Sequence, residues 1–199
     1  MKELTLNYYN TNAKDFIEGT LNVDMSELRS KFLSYLPQAA HILDAGCGSG
    51  RDSLAFKEAG YKVSAIDGSE AMCNQTAELI GQPVRQMIFQ EIEDVNLYDG
   101  IWACATLLHV PEEDMVDVFR RLSRALKNEG ILYASFKYGE FEGERNGRYF
   151  SDYTEERFTK LLAHFPELVI VEQGITVDKR PDREEKWLNV IVRKTEEAI

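Results

Sequence analysis

Asp44, Gly46, Gly48 and Gly50 alternate along the stretch His41-Ile42-Leu43-Asp44-Ala45-Gly46-Cys47-Gly48-Ser49-Gly50. A short apolar run ends in an acid, glycines follow, and a helical pattern begins at Arg51. Glycine has no Cβ, so the backbone can turn sharply and let a ligand come close. The start of a helix adds free N–H groups and a partial positive charge. Parallel sheets bind their ligands at this carboxyl end of the strands. The stretch therefore reads as strand, turn and helix start around a small cofactor.

The spacing narrows the cofactor. A dinucleotide turn carries G-x-G-x-x-G with an acid about 20 residues later. Here the pattern is G-x-G-x-G, with Asp44 two residues before the first glycine. An acid there suits a ligand ammonium group and suits a pyrophosphate poorly. Asp67 closes the next apolar run, Tyr61-Lys62-Val63-Ser64-Ala65-Ile66. It can accept hydrogen bonds from both hydroxyls of an unphosphorylated ribose. A ligand with an amino-acid end and a nucleoside end fits both carboxylates, and S-adenosylmethionine (SAM) is such a ligand.

On these residues the chain resembles the class I SAM-dependent methyltransferases. Ile42 to Gly50 is similar to that family's first motif, and Asp67 stands where its second motif places the ribose-binding acid. The order of elements matches from about Leu36 to Lys194. The resemblance implies SAM as cofactor, held by Asp44, Gly46, Cys47, Gly48, Gly50 and Arg51 at the first turn. It implies further contacts from Asp67, Gly68, Ser69 and Met72 after the second strand and from Ala105 after the fourth. Gln90, Glu91 and Ile92 follow the third strand, where the family binds adenine. Glu91 is the first candidate there, with Gln90 and the Ile92 backbone as alternatives. Met72 either packs on adenine or belongs to the core.

Gly48-Ser49-Gly50-Arg51-Asp52-Ser53 is also similar to a run in small tellurite-resistance-type methyltransferases, which suggests a small acceptor. Two other readings stay open: a SAM-binding protein without turnover, and an NAD-dependent oxidoreductase.

Elements must position these groups. Apolar runs at Ile42–Ala45, Tyr61–Ile66, Val84–Phe89, Gly100–Ala105 and Ile131–Phe136 alternate with helical patterns, as in a doubly wound α/β sheet. Met25 to Leu36 carries a helical stripe with Asp24 as N-cap, and a charged amphipathic helix runs from Pro111 to about Lys127. Near the end, Leu168–Ile175 and Trp187–Val192 follow each other without a helix between them. That predicts an antiparallel hairpin. The family's sheet is seven-stranded and mostly parallel, in order 3-2-1-4-5-7-6, and closes with such a hairpin. The expected division is an N-terminal lid and helix over 1–36, then a single SAM-binding domain over 37–199.

The acceptor site is expected beyond the fourth and fifth strands. His109 follows Ala103-Cys104-Ala105 and is either a general base or a residue that holds its loop. Residues 137–150 form a long connection with three glycines. Lys137, Arg145 and Arg148 there could bind an anionic group, with Tyr138, Tyr149 and Phe150 against an apolar body. The alternative is a solvated loop whose arginines pair with Glu140, Glu142 and Glu144. Tyr8, Tyr9 and Phe16 make the N-terminal stretch too apolar for a free tail. It is a lid that brings Tyr8 or Tyr9 to the cofactor, or an aromatic brace on the sheet.

Composition limits the partners. The 199 residues carry a net charge of −11 and no basic cluster, which disfavours nucleic acid. No apolar run approaches the roughly 20 residues that span a membrane. Three scattered cysteines without a C-x-x-C predict no metal site, and with no apolar signal segment they suit the cytoplasm. The expected partner is a small-molecule methyl acceptor, met by a monomer or homodimer.

Overall fold

The computed structural model describes residues 3–181 and 183–196. The first two residues of the predicted lid and the last three of the predicted domain lie outside the described residues.

One sheet organises the chain. Its parallel strands are β1 (His41–Ala45), β2 (Lys62–Asp67), β3 (Arg85–Gln86), β4 (Tyr98–Ala103) and β5 (Leu126–Lys137). β6 (Glu142–Arg145) and β7 (Arg148–Ser151) form a separate hairpin. β8 (Leu168–Val177) and β9 (Lys186–Lys194) complete the main sheet, in order β3-β2-β1-β4-β5-β9-β8. β9 runs antiparallel to both β5 and β8. Once the small hairpin is counted, this is the predicted order with its antiparallel closure.

Helices cover both faces. α1 (Glu3–Thr11), α2 (Ala13–Thr20) and α3 (Ser26–Ser34) precede β1. α4 (Arg51–Glu58), α5 (Glu70–Ile80), α6 (Glu112–Ala125) and α7 (Glu155–Leu162) fill the crossovers. One face packs Phe32 and Phe56 around Trp102, which stacks on Tyr133 at 3.9 Å between ring centroids. The other packs Phe119, Phe136, Phe158 and Leu122. Buried on both faces, the central strands read as continuous apolar runs.

Four local expectations change. β3 is two residues long, not Val84–Phe89, because the chain turns into a 3-10 segment at Phe89–Glu91 and the Glu91 carboxylate takes the Ile88 N–H at 2.9 Å. α6 stops at Ala125, short of Lys127, because buried Leu126 is already extended and pairs with Tyr98. α3 begins at Ser26, and Asp24 Oδ1 accepts from its N–H at 2.9 Å. The connection over 137–150 is a hairpin, not an irregular loop. Its turn, Asn146-Gly147, has positive φ at both residues (51° and 73°), the conformation that two-residue hairpins favour.

Candidate functional site

The glycine turn is set by close approach as well as by dihedral angle. Gly46 has φ 83°, and a Cβ there would lie 1.9 Å from Thr106 Oγ1 on the segment after β4. The carboxyl ends of β1 and β4 can therefore meet only through glycine. The Gly46 and Cys47 N–H groups donate to Ile66 O of β2 at 2.9 and 3.0 Å. Asp67 ties the turn to the next strand by accepting from Gly48 N (3.0 Å) and Ser69 N (2.9 Å).

A cavity of about 400 Å³ opens at this end of the sheet. Asp44, Gly46, Cys47, Gly48, Arg51, Asp67, Gly68 and Met72 line one end of it. Burial and the nearby Asp52 charge push the Asp44 carboxyl up to about 7, against one bond from Ser53 Oγ at 2.6 Å. Burial also raises Asp67, although backbone N–H groups oppose it. Among the described residues neither acid has an ion-pair partner. Asp52 differs: burial would raise it, but the Arg51 fork, Trp102 and Arg29 outweigh burial and hold it below the usual carboxylate range.

The other end is lined by Ala105, His109, Ser135, Lys137, Arg148, Phe150, Trp187 and Asn189. His109 is buried. Its Nδ1 lies 2.7 Å from Tyr149 O and its Nε2 lies 2.8 Å from the Tyr9 hydroxyl. A carbonyl only accepts, so Nδ1 carries the proton and Nε2 accepts from Tyr9. Burial pushes the imidazole down to about 3, so it is neutral at ordinary pH.

α1 and α2 lie across both ends. Asn10 Oδ1 accepts from Ser69 Oγ at 2.7 Å, and Thr5 Oγ1 accepts from Tyr149 N at 3.0 Å. Phe16 stands 3.3 Å from where a Gly48 Cβ would be. Arg51 Nη1 donates to Thr20 O at 3.3 Å.

The remaining candidates lie outside the cavity wall. Gly50 faces Thr76 and Leu79 at the start of α4. Ser69 is fully buried as the N-cap of α5, its Oγ accepting from Met72 N. Gln90 donates to Asp114 at 3.2 Å, Glu91 caps Ile88, and Ile92 is core. Met87, Ile88 and Phe89 line the cavity at that place instead. Tyr138 is exposed and donates to Glu155 at 2.9 Å. Arg145 pairs with Asp152 at 3.0 Å, not with Glu140, Glu142 or Glu144, while Glu142 pairs with Arg157.

The tip of the β8–β9 hairpin, from Thr176 to Arg180, also reaches the wall. The sequence showed a charged loop there with nothing to aim it at the site. Burial raises all three thiols, Cys47 well above its usual value, Cys73 to about 11 and Cys104 to about 12. No group of three metal-ligating side chains occurs among the described residues, and no helix among them is long and apolar enough to cross a membrane.

Residues 42–130 match the family model described as a methyltransferase domain. The chain is 32% identical over 117 residues to YqeM of Bacillus subtilis, which is named as a methyltransferase. That match takes in 53% of the chain and 47% of YqeM, so the chain spans about half the length of that relative. It is 26% identical to an uncharacterized methyltransferase of Staphylococcus carnosus, over 87% of the chain and 92% of that protein. Its fold is similar to 1,6-didemethyltoxoflavin-N1-methyltransferase of Burkholderia thailandensis, solved with bound 1,6-didemethyltoxoflavin and S-adenosylhomocysteine (SAH). The TM-score is 0.78 at 23% identity, over 96% of this chain and 87% of that one.

The sheet order and the glycine turn give the chain the Rossmann-like fold of SAM-dependent methyltransferases, and residues 42–130 within it match a methyltransferase domain. S-adenosylmethionine is the cofactor that this fold and domain imply.

Proposed function

We propose that the chain transfers the methyl group of SAM to a small-molecule acceptor inside this cavity. The observation that carries the reading is the pair Asp44 and Asp67, at the ends of adjacent strands, facing one cavity without cationic partners. An ammonium group would offset the desolvated Asp44. A carboxylate has about four acceptor positions, and the two bonds Asp67 makes to backbone N–H groups leave room for ribose hydroxyls. Met72, Met87, Ile88 and Phe89 offer an apolar slot for the adenine.

When bound, SAM supplies a reactive methyl group and its own leaving group. The protein's part is alignment and exclusion of water. α1 and α2 do the excluding: Tyr9, Asn10 and Phe16 close over the glycine turn as a lid. His109 holds Tyr9 in place and is a weak base, because both its ring nitrogens are occupied and burial disfavours its charged form. The covered cavity suits a small acceptor better than a polymer. Its volume of about 400 Å³ falls in the range of roughly 300–1,000 Å³ common for ligand pockets. Three unpaired cysteines suit a reducing cytoplasm.

Calorimetry with SAM and SAH tests the reading first, and a screen of small acceptors with labelled SAM tests turnover. Absence of SAM binding would overturn it. Tight binding with no transfer to any acceptor would favour a SAM-binding protein without turnover.

A further inference from the structure

Four arginines line the cavity, and three of them meet carboxylates. Arg51 pairs with Asp52 at 2.7 Å, Arg180 chelates Asp178, and Arg183 meets Glu185 at 3.2 Å. Arg148 has no carboxylate partner among the described residues. Its Nε is buried with no hydrogen-bond partner, and Nη1 makes one long contact, 3.4 Å, to the Tyr9 hydroxyl. Its guanidinium lies 4.4 Å from the Tyr8 ring centroid and 5.1 Å from that of Phe150. The ammonium of Lys137 lies 5.5 Å from the Phe150 centroid and 5.9 Å from that of Trp187, and it pairs with Glu185 at 3.6 Å.

Leaving a buried donor unpaired is costly, and a guanidinium fork matches a carboxylate with two parallel bonds. Arg145, three residues earlier in the same hairpin, shows the satisfied state, with its fork on Asp152. We propose that Arg148 binds a carboxylate carried by the methyl acceptor, and that the neighbouring rings hold a planar aromatic body. The acceptor class is thus an aromatic acid. This deepens the proposed function and rests on it.

The test titrates benzoate and its neutral analogue benzamide into SAH-saturated protein. Arg148→Met, which keeps an apolar stem beside Tyr8, serves as the variant. Benzoate should bind wild type roughly tenfold or more tighter than benzamide, and Arg148→Met should erase that preference. SAH affinity of the variant should stay within about threefold of wild type. Equal binding of the two probes to wild type would overturn the proposal, even if the variant does not fold. So would a variant that keeps its benzoate preference. A large loss of SAH affinity in Arg148→Met would also overturn it, by assigning the arginine to the carboxylate of the cofactor. Failure of wild type to bind SAH would instead sink the cofactor reading, and the two probes on ligand-free protein would still judge the anion site.

Discussion

Among the described residues, two carboxylates at the β1–β2 end of the cavity lack cationic partners, while at the β5–β7 end an arginine lacks an anionic one. The protein neutralises its other buried charges with care: Asp52 has two arginines and an indole, and Asp152 has Arg145. Asp44 and the half-buried Asp67 and Arg148, without such partners among the described residues, line one cavity. Buried charge without a partner costs several kcal/mol unless it shifts its protonation or finds a ligand. The proposed reading answers this contrast with a cation-bearing ligand at the acid end and an anion-bearing one at the arginine end.

Gly46→Ala breaks the acid end most severely. The new Cβ would lie 1.9 Å from Thr106 Oγ1, and the backbone has φ 83°. Left-handed backbone costs an alanine roughly 1–2 kcal/mol, and overpacking adds about 1–3 kcal/mol. Thermal melting should register the loss and calorimetry should find SAH binding abolished. A variant that melts like wild type and binds SAH would show that the two strand ends are not locked together here.

Asp67→Ala is the next largest break. Bonds to a charged group are worth about 1.5–3 kcal/mol, so SAH should bind roughly tenfold or more weakly. The benzoate preference at the other end should persist. If it disappears with Asp67, the two ends are one coupled network and the contrast dissolves.

How far the sequence reached follows the same geography. Asp44 to Gly50 was readable because a strand, a turn and a helix start are local: glycine spacing dictates the backbone and the backbone dictates the site. The final hairpin was readable because two strand patterns follow each other without a helix. Asn146-Gly147 carried a hairpin signal that the length of the connection obscured, and with it went the register that gives Arg145 to Asp152 and leaves Arg148 to the cavity. Met87–Phe89 line the cavity three residues before the Gln90–Ile92 segment to which the sequence pointed, in the stretch where the Glu91 side chain folds back on Ile88 N. The approach of Thr176–Arg180 to the cavity depends on packing between distant segments, which no local pattern encodes.

The pH response sharpens the comparison. Asp44 is raised from 3.8 to about 7, so between those values the folded state holds a proton that the unfolded chain has lost. Its contribution to stability is present at low pH and disappears as pH rises to about 7. His109 is lowered from 6.5 to about 3, so in that interval the unfolded chain holds the extra proton and stability rises with pH. The two slopes oppose each other across the shared interval. Asp44→Asn should leave the rising slope and His109→Gln the falling one, each up to about 1.4 kcal/mol per pH unit, read from denaturant titrations across that range. SAM binding near neutral pH should release a proton from Asp44, seen as an enthalpy that varies with buffer ionisation. A buffer-independent enthalpy would remove Asp44 from the ammonium site.

The smallest expected effect lies where the two ends meet. Tyr9 donates to His109 Nε2 and stands beside Arg148, so one phenol links α1 to the arginine end. Tyr9→Phe keeps the ring packing on Phe16 but leaves His109 Nε2 without its donor. The cost should be about 1–2 kcal/mol, the price of one buried unpaired group. If that bond latches α1 and α2, amide exchange over residues 3–20 should quicken in the variant, and SAH should restore less protection than in wild type. SAH affinity should fall by a few-fold at most, because the variant keeps Asp44 and Asp67, while the benzoate preference should persist through Arg148. Unchanged exchange over residues 3–20 would mean that the helices are held by their other contacts, such as Thr5–Tyr149, Asn10–Ser69 and Arg51–Thr20. The lid would then be fixed at its edges, and the Tyr9–His109 bond would serve the shape of the acceptor end instead of its closure.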